Sequence, residues 1–170
     1  EALLMRRLKA IRSRQEYIIL LKAFYGYLSP IDSAIRHHIP EETLDDIQER
    51  RNVGKILDDL KVLGYGGCIP ESPIVPRIDS ALRAFGAMYV GEGSTLGGAI
   101  IARMLRENDC LADCRDAFSF FNGYQERTLI MWKKFQSRLD DYIQSDHDQA
   151  EVAAAATETF NHMKSWLTLN

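Results

Sequence analysis

The stretch YVGEGSTLGG, residues 89–98, gathers four glycines and three hydroxyl side chains within ten positions. Residues of this kind support two sorts of chemistry. A glycine-rich loop can cradle a phosphate with its backbone amides, and a glycine-bearing helix can lay its backbone against a flat ligand. The cradle fails on content. A dinucleotide fingerprint needs GxGxxG behind a strand, but the glycines stand at 91, 93, 97 and 98, behind a helical ALRAFGAMYV. A P-loop needs lysine and a hydroxyl after the second glycine, where Ala99 and Ile100 stand. On a helix, Gly93 and Gly97 fall on one face. Each interior glycine costs roughly 0.5–1 kcal/mol against alanine, so such a helix needs a compensating gain. Close helix packing supplies one, and approach to a flat ligand supplies another. A glycine-induced kink would add a flexible cover over a pocket. The residues alone leave these open.

Other candidate groups are sparse. Cys68, Cys110 and Cys114 form no CxxC pair or closed disulfide set. They read as reduced structural thiols in a cytosolic compartment. Cys110 and Cys114, four apart, would share a helix face. There is no run of eighteen apolar residues and no visible signal peptide, so the expectation is a cytoplasmic protein without a membrane span. The net charge of −3 gives no field that recruits nucleic acid. Arg6, Arg7, Lys9, Arg12 and Arg14 oppose a single acid, Glu1, as a solvated helix face or as a docking edge for an anionic partner.

The elements that would position these groups are helical almost throughout. Ser13 to Glu16 forms a capping box. Tyr17, Leu21, Phe24, Leu28, Ile31 and Ile35 follow as one apolar stripe. Pro30 predicts a kink in it, or two abutting helices. A helix is expected from Pro40 through PEETLDDIQERR, with acids in its first turn. Another is expected in NVGKILDDLKVLG, with Val53, Ile56, Leu57, Leu60 and Leu63 inward and Gly64 as C-cap. Residues 64–77 form a Gly/Pro-rich connector that no helix crosses. Helical pattern resumes near Asp79 and runs to Arg106, then over 113–122, 125–145 and 148–169. EVAAAATETF offers a small, close-packing face. The chain, 1–170, reads as a single all-α domain of about seven helices.

AFGAMYVGEGSTLGGAIIARML resembles the distal helix of the bacterial haem oxygenases. Their pattern is an aromatic, then EGS, any residue, LG and a small residue. Tyr89, Glu92, Gly93, Ser94, Leu96, Gly97 and Gly98 match it in order. EALLMRRLKAIRSRQEYIILLKAFYGYLSPIDSAI resembles the end of that family's first helix and its second. RRNVGKILDDLKVLG and WKKFQSRLDDY resemble two later segments. The resemblance implies a haem oxygenase-like helical bundle whose glycine-rich, kinked distal helix lies over haem. Haem would be both cofactor and substrate, cleaved to biliverdin, CO and free iron with O2 and an external electron donor, a ferredoxin or reductase. It implies Gly93, Gly97 and Ser94 as catalytic positions, where a bare backbone leaves room for ordered water. Cofactor contacts would come from Tyr89, Gly93, Ser94, Thr95, Gly97, Gly98 and Lys133, with Tyr89 and Lys133 (or Lys134) toward the propionates and Glu92 in a structural network. The iron-ligating histidine falls about four residues before Glu1, so the start of the proximal helix is expected to be missing; His37, His38, His147 and His162 lie out of register for that role. Two alternatives share the scaffold. One is a non-catalytic haem-binding or sensor module. The other is a thiaminase-like enzyme, with Cys110 or Glu92 as nominees.

Overall fold

The computed structural model describes residues 2–50 and 52–169; Glu1, Arg51 and Asn170, including the acid of the basic opening and one arginine of RRNVGK, lie outside them. The described residues form eight α-helices: α1 (Ala2–Ala10), α2 (Arg14–His38), α3 (Gly54–Val62), α4 (Ala81–Ser94), α5 (Gly98–Arg106), α6 (Ser119–Asn122), α7 (Thr128–Tyr142) and α8 (Asp146–Leu169). Short 3₁₀ turns at Ile47–Glu49, Thr95–Gly97, Asp109–Cys114 and Gln125–Arg127 join some of them, and the described residues contain no strand.

The central element is α2. Its start follows the capping-box reading in the serine half: Ser13 is extended and its hydroxyl accepts from the Glu16 amide at 3.2 Å, while the Glu16 carboxylate reaches one residue past the cap, to the Arg12 amide at 2.7 Å. Tyr17, Leu21, Phe24 and Ile31 are buried as the stripe requires, each such side chain contributing roughly 1.5–3 kcal/mol. By length and composition α2 is apolar enough to cross a bilayer, but these side chains are spent on the core. Pro30 does not divide the helix in two: Arg14–His38 is one element. The reason lies outside the helix. Proline cannot donate to the carbonyl four residues back, and that carbonyl, on Gly26, instead accepts the Ser72 amide at 2.8 Å. Gly26 also allows the approach, since a Cβ there would collide with the Pro70 carbonyl oxygen. The Gly/Pro-rich connector is thus docked onto α2.

Two expectations are corrected around α3. The helix from Pro40 is absent: the Pro40 carbonyl accepts from Thr43 and Leu44 for one turn, and only Ile47–Glu49 is helical, as a 3₁₀ turn. Ile39, Leu44 and Ile47 are all drawn into a cluster with Phe85 and Phe135, and tertiary burial overrides a modest local propensity. In α3 Ile56 and Leu60 are buried, as is Leu63 at its cap, but Leu57 is 43% exposed, on the flank of that stripe. Gly64 takes φ +73° and closes the helix as anticipated.

Among the described residues α4 makes its most extensive packing with α8. The small face of α8 is what admits it. A Cβ at Gly86 would stand 2.7 Å from the Ala155 Cβ and closer still to the Val152 carbonyl oxygen. α8 is tied to α2 as well, through Tyr27 Oη donating to Thr159 O at 2.6 Å and Trp166 Nε1 donating to Ala23 O at 2.8 Å. Cys110 and Cys114 do not share a helix face: they lie on a 3₁₀ turn, one exposed and one buried.

Candidate functional site

The glycine stretch ends α4, passes through the Thr95–Gly97 turn and opens α5. Two hydroxyls tighten that passage. Ser94 Oγ donates to the Gly91 carbonyl at 2.7 Å, and Thr95 Oγ1 donates to the Glu92 carbonyl at 2.6 Å, the back-bonding that competes with regular α-helical pairing. Backbone angles stay right-handed through the turn, with Thr95 at −66°/−26° and Gly97 at −87°/−9°.

The stretch presents two faces. On the inner face Ala87, Gly91, Ser94 and Gly98 look across to Phe24, Leu28 and Ile31 of α2, bounding an open, mostly apolar cleft. A mostly apolar lining with a few polar groups is the character of a small-molecule or cofactor site. Leu4, Phe121 and Met163 add to its apolar lining, and Asp32, Arg36, Arg50 and Glu92 are the ionic groups of that lining. On the outer face stand Tyr89 (43% exposed), Gly93, Leu96 (44%), Gly97 and Ile100 (57%). A Cβ built at Gly91 or Gly97 would meet nothing within 4 Å, and one at Gly93 would only touch the Trp132 ring at 3.6 Å. By contrast, a Cβ at Gly98 would collide with the Phe121 carbonyl oxygen.

Beneath the stretch lies a buried ionic cluster. Arg50 Nε and Nη2 donate to the two oxygens of Asp46, each at 2.8 Å, as a bidentate fork. Arg50 Nη1 donates to Glu92 Oε2 at 3.0 Å and to the Met131 carbonyl at 2.8 Å. The other Glu92 oxygen accepts from Tyr124 Oη at 2.7 Å. Arg50, Asp46 and Glu92 are each 3% exposed or less. Burial alone would raise the Asp46 carboxyl, but the hydrogen bonds and charges of Arg50 and Lys134 outweigh it and hold it below the ordinary value. Burial would likewise lower Arg50, and its two carboxylate partners reverse that.

The residues singled out in the sequence fall into three places. Tyr89, Gly93 and Gly97 share the outer face, with Tyr89 packed edge-on to Trp132 at 5.2 Å. Ser94 stands on the cleft side, exposed. Thr95 is buried near Gly123, and Gly98 is pressed against Phe121. Lys133 is exposed on α7 and absent from the cleft lining; Lys134 is engaged by Asp46 at 3.2 Å. Three of the opening arginines serve helix ends: Arg7 binds the Leu167 carbonyl, Arg12 that of Lys9, and Arg14 those of Leu63 and Val62, where cations favour the dipole. His37 and His38 pair edge to face at the end of α2. Sequence reasoning missed Asp46, Arg50 and Tyr124; the i,i+4 spacing of Asp46 and Arg50 was the one visible signal.

The family model described as "Heme oxygenase" matches residues 74–168, which contain the glycine stretch and the helices that follow it up to residue 168. A heme oxygenase of Xanthomonas campestris pv. campestris (strain 8004) is 34% identical over 120 residues, covering 71% of this chain and 69% of that protein. In structure the chain is similar to the heme oxygenase of Neisseria meningitidis, solved with NO and CO bound, at a TM-score of 0.77 and 19% identity over 96% of this chain and 80% of that one. The last likeness is one of fold, and the first two extend it to descent: the chain belongs to the haem oxygenase family.

Proposed function

We propose that the protein is a haem oxygenase that seats haem on the glycine-bearing wall formed by α4 and α5 and cleaves it to biliverdin, CO and free iron. The observation that carries this is the open backbone of the wall. Gly93 and Gly97 bear no side chain to hold a flat ring away, Gly97 has nothing within 4 Å of where a Cβ would be, and exposed Tyr89, Leu96 and Ile100 flank them. A contiguous apolar strip of this kind, with an apolar cleft behind it, suits a flat hydrophobic ligand. The residues present therefore fit the group.

When bound, haem supplies both the iron that reduces O2 and the ring that is opened. The chain's own residues define the surroundings. Gly93 and Gly97 offer only backbone to the ring and leave space beside it for water. Ser94 donates its proton to the Gly91 carbonyl on the cleft side of the wall. Glu92 is turned away, both carboxylate oxygens being committed to Arg50 and Tyr124, and so supplies no acid above the ring. The Tyr89 hydroxyl and the exposed Lys133 ammonium are the rim groups for the carboxylates of haem. Reducing equivalents come from a donor protein, a ferredoxin or reductase, for which exposed Arg6 and Lys9 offer a basic landing point.

Titration of the full chain with haem tests this. The expected result is a Soret band that, under reductant and O2, gives way to the absorbance of biliverdin. A full chain that develops no Soret band overturns the proposal.

A further inference from the structure

We propose that the buried Arg50–Glu92 pair, braced by Asp46 and Tyr124, is a positioning device that sets where the glycine wall stands relative to the haem face. This inference rests on the haem oxygenase reading. The physical problem it answers is visible in the backbone. From Gly91 to Gly97 the wall has little intrinsic stiffness: three glycines, a 3₁₀ interruption, and open space beyond two of those glycines. Helix propensity alone does not hold such a segment in place. Glu92, in the middle of it, is the long side chain of the segment that turns inward and is 3% exposed.

Its two oxygens reach two separate elements. Oε2 binds Arg50, in the turn after α2, and Oε1 binds Tyr124, ahead of α7. Arg50 cannot swing to follow it, because the Asp46 fork fixes the plane of the guanidinium and the Met131 carbonyl takes a further donor. The guanidinium also lies over the Phe135 ring at 5.9 Å. Glu92 is therefore held from both sides by groups that are themselves held. Buried ion pairs add little net stability over well-packed apolar side chains, since desolvation offsets their attraction. What such a fork does supply is direction: planar, bidentate geometry admits one arrangement. Here that arrangement fixes the backbone on which Gly93 and Ser94 sit.

The test compares Arg50→Lys, Glu92→Gln and Tyr124→Phe in the full chain with Tyr17→Phe, which removes a buried hydrogen bond to the Ala117 carbonyl away from the cleft. Three readouts are taken: melting temperature, the rate of haem transfer to apomyoglobin (with zinc protoporphyrin affinity by fluorescence beside it), and the ratio of biliverdin isomers. The expected result is that Arg50→Lys and Glu92→Gln release haem at least tenfold faster, bind zinc protoporphyrin correspondingly more weakly and shift the isomer ratio. Tyr124→Phe moves the same way by less, and Tyr17→Phe lowers the melting temperature alone. Cluster variants that behave like Tyr17→Phe overturn the proposal. So does an unchanged Tyr124→Phe if the two charge variants do not fold. A parent chain that binds neither haem nor zinc protoporphyrin overturns the functional reading, and this inference with it; a parent that binds while its variants match it overturns this inference alone.

Discussion

Gly86 and Gly91 lie five residues apart on α4 and answer opposite demands. At Gly86 a methyl group would run into the Val152 carbonyl and Ala155 of α8; at Gly91 it would meet nothing. The first half of the helix is a packing surface, and its glycine is there so that another backbone can come close. The second half is a wall, where Gly91 leaves space open and Gly93 leaves room for no more than contact with the Trp132 ring. Glycine density in a sequence does not separate these uses. Only the neighbour across the gap does.

The contrast can be broken from either side. The largest effect is expected where the wall is tied down: Arg50→Met leaves Glu92 buried without its cation and Asp46 with Lys134 alone, and should cost about 3–5 kcal/mol in urea unfolding. Gly86→Ala follows, at about 3 kcal/mol by the same measurement, because the α8 backbone cannot yield as a side chain would. Gly97→Leu should leave folding stability nearly unchanged and weaken haem binding about tenfold, or ~1.4 kcal/mol, read by Soret titration; unchanged affinity would place the ligand elsewhere. Acid sharpens the picture. The folded Asp46 carboxyl titrates below its ordinary 3.8, so its contribution is present above that pH and is lost as pH falls through the lower folded value. Asp46→Asn should therefore lose stability at neutral pH and show a flatter acid limb than the parent below about pH 3.8. The smallest effect is Gly91→Ala, a gain of roughly 0.5–1 kcal/mol in stability from helix propensity alone.

Much of this architecture is legible in the amino-acid sequence. The stripe of α2, its Ser13 cap, the Gly64 terminus and the small face of α8 all follow from local periodicity and turn chemistry, which depend on near neighbours. The glycine motif also pointed to its family without help. What escaped depended on partners far along the chain. Glu92 meets Arg50 across 42 residues and Tyr124 across 32, and no local pattern encodes that meeting. The expected helix at Pro40 lost to a demand from Phe85 and Phe135 that residues 40–51 do not contain. The difference between Gly86 and Gly91 belongs to α8, not to α4.

The bond from the Ser72 amide to the Gly26 carbonyl has a consequence for how the molecule comes apart. A proline in a long helix is ordinarily where that helix frays, and a loop between prolines is ordinarily the first segment to open. Here each weakness closes the other. The connector cannot lift away without exposing an unpaired carbonyl in the middle of α2, and α2 cannot open at Pro30 without releasing the connector. Two segments that would be independent, low-stability units in isolation are thereby joined into one cooperative unit. That unit reaches down α2 to Phe24, Leu28 and Ile31, which bound the cleft.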